Sequence, residues 1–257
     1  MESSDYRKTP YYKAGRATDL EGADRRLYRF FEMLPGLIAW LTIALAIILS
    51  RFAPTVAAIA IIVFDIYWLL KTAYLSIYLR QNWKRIRHNM KADWPALLAH
   101  LKYDHLQHMV ILPFYKEELA VVEKSLEALL ASRYDQKKII VVLAAEARAG
   151  EQAAAVSAAA TKSYGHRFGQ FLVTVHPDGM EGEQAGKGAN IAYAAREAGR
   201  LLDARKIRYE DVIVSAFDID TVVYPDYFAC LTWHFLTADD PYRSSFQPVP
   251  FLPLHQQ

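Results

Sequence analysis

Two stretches near the N-terminus constrain this chain more than anything else in it. From Met33 to Ser50 there is no charged residue, and from Phe52 to Leu70 the only one is Asp65. A helix rises 1.5 Å per residue and a bilayer's hydrocarbon core is ~30 Å thick, so about 20 apolar residues span it. Runs of 18 and 19 residues, extended by Phe30, Phe31 and Tyr74, are long enough. Arg51 and Pro54 lie in the short break between them. The pattern predicts a transmembrane helical hairpin over residues 33–79.

Basic residues orient it. Arg25, Arg26 and Arg29 precede the first run, and Arg80, Lys84, Arg85, Arg87 and Lys91 follow the second with no acid among them. Only Arg51 lies at the turn. Both flanks are therefore expected in the cytoplasm, in a multi-pass protein of the cell membrane whose first partner is the lipid bilayer. Residues 1–32 then form a cytoplasmic tail and 80–107 a basic juxtamembrane connector. A signal peptide does not fit, because the apolar stretch is double and starts too far in. A buried hairpin in a soluble core is the alternative, and Asp65 keeps it open. A mid-bilayer carboxylate costs about 2.5–3.5 kcal/mol on insertion scales, less towards an end. Asp65 stands six residues before Lys71, towards the cytoplasmic side.

Composition mainly excludes. A single cysteine, Cys230, rules out an internal disulfide and suits a reducing compartment. None of the eight histidines pairs with another His or with Cys at a zinc-site spacing. No basic block with interleaved aromatics points to a nucleic-acid partner.

From His108 the pattern changes to alternating strand and helix. Met109–Leu112, Ile139–Leu143, Phe171–Val175 and Val212–Val214 read as buried strands. Leu119, Val122, Leu126, Leu129 and Leu130 recur at helical spacing, residues 148–164 are alanine-rich, and Ile191 to Leu202 carries a third helical stripe. Such alternation implies an α/β domain over 108–257 with a mainly parallel sheet covered on both faces. Ligands of such sheets bind beyond the carboxyl ends of the strands. Residues 113–117, Ala144-Ala145-Glu146, the 176–190 loop and Asp218-Ile219-Asp220 are all expected at that edge.

Asp218 and Asp220, one residue apart at a strand end, offer hard oxygen ligands suited to Mg²⁺ or Mn²⁺ bridging to a diphosphate. Strand alternation would turn both carboxylates to one side and Ile219 into the core. Alone, Asp-x-Asp is common by chance; its place after a fourth strand makes it more specific.

Over about residues 108–240 the chain resembles the family 2 glycosyltransferases, which have the GT-A fold, and among them the membrane-embedded relatives of cellulose synthase. Val110-Ile111-Leu112-Pro113-Phe114-Tyr115-Lys116-Glu117-Glu118 is similar to the family's opening strand and its Pro-x-Tyr-Asn-Glu turn. Gly186-Lys187-Gly188-Ala189-Asn190 is similar to its Lys-Ala-Gly-Asn element, and Asp218-Ile219-Asp220 falls at its metal-binding Asp-x-Asp. The resemblance implies a GT-A (Rossmann-like) nucleotide-sugar-binding domain behind the hairpin. It implies inverting transfer from a nucleotide diphosphate donor, a UDP-sugar by preference, to a saccharide or lipid acceptor. Pro113, Tyr115, Glu117, Glu146, Lys187, Asn190 and Asp218 would then contact the donor, and Asp218 and Asp220 would hold Mg²⁺ or Mn²⁺.

Departures bear on individual residues. Lys116 stands where Asn is usual, and Ala144-Ala145 replaces the acidic pair that reads the base. Glu146 either takes that role or is a solvated surface acid. Asp178 in His176-Pro177-Asp178-Gly179 either approaches the donor or simply forms a turn. Lys187 is unfavourable at a helix N-terminus unless an anion joins it there.

Gly182 to Gly188 has one residue too few for a P-loop and lacks its Ser or Thr. The Asp218-x-Asp220-x-Val222 pattern matches haloacid-dehalogenase-type phosphatases, whose motif opens the domain rather than following three strand–helix units. The family's general base and its Gln-x-x-Arg-Trp element follow Asp-x-Asp; here Asp239 and Asp240 are the only acids after Asp226. The expectation is a truncated domain, with a catalytically incomplete nucleotide-sugar-binding membrane subunit as the alternative.

Overall fold

The computed structural model describes residues 17–180, 183 and 185–248. The first part of the N-terminal tail, residues 181, 182 and 184 of the 176–190 loop and the end of the chain from 249 lie outside the described residues. The chain divides into two compact units, with the boundary at Asp93.

The first unit is built on helices α1 (Gly22–Phe52) and α2 (Pro54–Asn89), both long and apolar enough to cross a membrane, with no residue of either buried. They meet at Ala53, whose backbone leaves the helical region. Pro54 occupies the first turn of α2, where its missing N–H and fixed φ cost nothing. Both helices outrun the apolar stretches. α1 starts within the expected tail, helped by the Arg29–Glu32 pair at 2.7 Å, and α2 runs through Arg80–Asn89. Long basic residues are good helix formers, so polarity ends the apolar run without ending the helix.

The second unit is an α/β layer structure. A short helix α3 (Trp94–Leu98) is followed by β1 (Gln107–Pro113), α4 (Leu119–Leu130), β2 (Ile139–Glu146) and α5 (Gly150–Tyr164). Then come β3 (Gln170–His176), α6 (Lys187–Arg205), β4 (Val212–Ala216) and α7 (Tyr227–Thr237). The four strands form one parallel sheet in the order β3-β2-β1-β4. Every residue of β2 is buried, as in a parallel strand covered on both sides.

On one face α6 lays Ala194, Ala198 and Leu202 over Met109, Ile111, Ile140, Val142 and Ala144; the two alanines let it lie close. The other face is closed by α4, α5 and α7. There His108 is fully buried, its Nε2 2.7 Å from Thr232 Oγ1 of α7, with its ring edge-on to Tyr134. Burial pushes the His108 pKa down to about 3, so the ring packs as a neutral group.

The connector expected over 80–107 is therefore divided. Its start continues α2, whereas Trp94, Leu98 and Leu106 are buried in the α/β unit, Trp94 against Trp233 at 5.5 Å.

Candidate functional site

The order β3-β2-β1-β4 reverses direction between β1 and β4. In open α/β sheets the crevice beyond the strand ends at such a switch point is where ligands bind. The two segments that follow these strands are Phe114–Glu117 and Phe217–Asp220.

The β1 and β2 ends are knotted through one atom. The Ala144 carbonyl accepts from the Phe114 backbone N–H at 2.9 Å and from Asn190 Nδ2 at 2.8 Å. Asn190 is 1% exposed, and its Oδ1 has no partner among the described residues. Asn190 thus ties the first turn of α6 to the sheet. Pro113 is buried as the last residue of β1. The Tyr115 N–H donates to Glu117 Oε2 at 2.6 Å, closing the turn on itself, and the Lys116 Nζ lies 5.0 Å from the Tyr115 ring centre.

Glu146 ends β2 and is buried, so it is not a solvated surface acid. Arg148 compensates it, Nε and Nη2 both donating to Oε2, and these bonds raise the arginine's pKa. The Arg148 guanidinium also lies 5.4 Å from the Tyr115 ring centre, so two loops share one cation. Asp178 is exposed beside Gly179, whose φ of +70° marks the left-handed residue of a tight turn.

At β4 the strand ends at Ala216, earlier than the aspartates, yet burial keeps alternating. Phe217 and Ile219 are buried, while Asp218 and Asp220 are exposed. The two carboxylates therefore share the solvent side, with Ile219 in the core. Lys187, first residue of α6, forms an ion pair with Asp218, both being more than half exposed. That carboxylate offsets the poor placing of a cation at a helix N-terminus. Asp220 and Asp218 are the cation-binding candidates; no group of three His, Cys, Asp or Glu side chains comes together among the described residues.

Sequence reasoning missed three polar residues. Arg148 follows two places after the acid it serves. Ser125 falls on the apolar stripe Val122–Leu126–Leu129 of α4, where a hydroxyl must find a partner. It is 1% exposed and donates to the Ile219 carbonyl. Arg133 donates its backbone N–H to the Pro225 carbonyl and holds the buried Asp226 carboxylate with two side-chain bonds, Nε to Oδ1 being 2.5 Å.

Along the free edge of β4 lies a cavity of about 440 Å³, lined by Ser215, Phe217, Tyr227, Tyr242 and Phe246 among others. It reaches the carboxylate loop only through Phe217. Compared with known proteins, the chain matches no family model, no curated protein and no solved structure.

Proposed function

We propose that this chain is a membrane-anchored, GT-A-type domain of a family 2 glycosyltransferase that binds a nucleotide diphosphate sugar at the β1/β4 switch point. The observation that carries the reading is the meeting there of two sequence elements the resemblance singled out. Lys187, from the Gly-Lys-Gly-Ala-Asn element, touches Asp218, from the Asp-Ile-Asp element. The fold brings both to the same edge of the sheet, where α6 begins and β4 ends, and there the ammonium and the carboxylate pair. A cation paired with one of two exposed carboxylates is the donor set a metal–diphosphate needs: acids for the metal, an ammonium for phosphate oxygens.

The residues fit Mg²⁺ or Mn²⁺. Such an ion keeps several waters and takes one or two carboxylates plus substrate phosphates, rather than a protein cage. Asp218 and Asp220 would supply those carboxylates, and the ion would act as a Lewis acid on the leaving diphosphate. Lys187 would turn from Asp218 to the phosphates, Tyr115 and Glu117 would meet the nucleoside, and Glu146 with Arg148 would border the base. The sugar would pass with inversion to a saccharide or lipid acceptor at the membrane.

Titration calorimetry on the detergent-solubilised chain tests this. UDP is expected to bind at least about tenfold more tightly with Mn²⁺, and Asp220→Asn to remove that gain with the circular dichroism unchanged. Binding indifferent to metal and to the substitution refutes the reading.

A nucleotide-sugar-binding subunit without turnover is the second reading. Asp239 and Asp240 are the acids that follow Asp226, and α7 separates them from it by 11 residues, or about 16 Å of helix. Labelled transfer from a UDP- or GDP-sugar panel to a lipid extract separates the two.

The two apolar helices would span the cell membrane as a hairpin with the α/β unit in the cytoplasm. A cysteine at Ser50 should then react with an impermeant thiol reagent from outside intact cells; protection there would reverse the orientation. Cys230 is a quiet background, because burial pushes its thiol up to about 11.

A further inference from the structure

We propose that Ser125 is a positioning residue for the Asp218/Asp220 carboxylate pair, an inference that rests on the metal–diphosphate reading above. The carboxylates themselves have little support: both are exposed, and the partner of Asp218 among the described residues, Lys187, is exposed too. The backbone that carries them is held elsewhere. Where the segment begins, the Phe217 N–H donates to the Ile111 carbonyl at 3.1 Å. At its end, Arg133 grips Pro225 and Asp226. Between these anchors seven residues pass, and near their start Ser125 of α4 bonds to the backbone carbonyl of Ile219.

That carbonyl belongs to the residue between the two aspartates. Its orientation sets the ψ of Ile219 and thereby the direction in which Asp220 leaves the chain relative to Asp218. A turn closed by the Thr221 N–H on the Asp218 carbonyl at 2.9 Å completes the local fold. Ser125 lies in the middle of α4, and Arg133 follows that helix's end. α4 and the turn that leaves it therefore hold the carboxylate segment at two points, while the first turn of α4 follows directly on the Tyr115–Glu117 loop. The helix transmits position without touching ligand.

A structural hydrogen bond would merely lower stability when lost; a positioning bond should weaken metal-dependent binding selectively. UDP affinity is measured on the full detergent-solubilised chain with Mn²⁺ and with EDTA. Ser125→Ala should reduce the Mn²⁺ enhancement about fivefold, what one net hydrogen bond is worth in affinity, and leave affinity in EDTA within about twofold. Ser125→Thr, which keeps the hydroxyl, should retain the enhancement. Ser132→Ala is the control: it removes another buried serine bond of the same region, 2.7 Å to the Leu129 carbonyl within the helix end rather than to the carboxylate segment. It should lower the melting temperature and spare the enhancement. If Ser125→Ala does not fold, Ser125→Cys, near-isosteric with a weaker donor, should show a partial loss. An undiminished enhancement in the Ala or Cys variant, or an equal loss in Ser132→Ala, overturns the proposal and leaves the donor reading standing. Absence of any Mn²⁺ enhancement in the wild-type chain overturns both.

Discussion

The ends of β2 and β4 lie on either side of the same strand and are built in opposite ways. At β2 the polar atoms are dry: Ala144, Asn190 and Glu146 are all buried, and the Ala144 carbonyl holds two donors. At β4 they are wet: Asp218, Asp220 and Lys187 are exposed, and their one mutual contact is an ion pair. The cause is place in the sheet. β2 is covered on both faces, whereas β4 is an edge strand with Val214 56% exposed. Water-poor surroundings make each unmet polar group expensive, so the β2 end is tied tightly. At the β4 end the carboxylates stay hydrated, and the segment is tied beneath them, by the Ser125 hydroxyl on the Ile219 carbonyl and by Arg133 on Asp226.

This contrast can be broken first by acid, which should act on the covered half. His108, on the α7-covered face of β1, packs as a neutral ring with its pKa down at about 3, against 6.5 when unfolded. Between those values the unfolded chain binds a proton that the folded one refuses. His108's contribution is thus intact above pH 6.5 and is lost progressively as the pH falls below it towards 3. Urea unfolding followed by tryptophan fluorescence from pH 7.5 to 4 should show the wild type losing stability faster than His108→Gln. Parallel curves would mean the ring is protonated in place.

A smaller effect sharpens the comparison directly. Asn190→Ala removes a buried donor at the β2 end and should cost about 1–2 kcal/mol. Lys187→Ala removes an exposed partner at the β4 end and should change stability by less than ~0.5 kcal/mol, while weakening UDP–Mn²⁺ binding. Thermal unfolding and calorimetry on both variants give the two numbers; equal stability losses would erase the distinction between dry and wet ends.

The strands were legible because buried parallel strands are written as unbroken β-branched runs, and Val110-Ile111-Leu112 and Ile139–Leu143 are such runs. The exposure of Asp218 and Asp220 around a buried Ile219 was legible as well, since alternation outlasts the strand. Helix limits were less so: nothing in Arg80–Asn89 stops a helix, so the end of the apolar run was no guide to the end of α2. The share of 80–107 in the core was hidden because Trp94, Leu98 and Leu106 are too few and too widely spaced to show a period. Ser125 and Arg133 were illegible for a different reason. Their partners stand 94 and 93 positions further on, and only topology says that α4 passes under the segment after β4.

The knot at Ala144 has a consequence for how freely this site can drift. Its acceptor is a main-chain carbonyl, which every amino acid supplies, so residue 144 is held by size alone, and any side chain small enough to lie beneath α6 keeps both bonds. One donor, the Phe114 N–H, is equally anonymous. The whole chemical requirement therefore rests on the amide of Asn190. In a saturation mutagenesis of the three positions, 144 should accept glycine, serine and cysteine and 114 other large apolar residues, while 190 tolerates almost nothing. Substitutions at the end of β2 can accumulate, the neighbouring acid included, without disturbing where α6 begins.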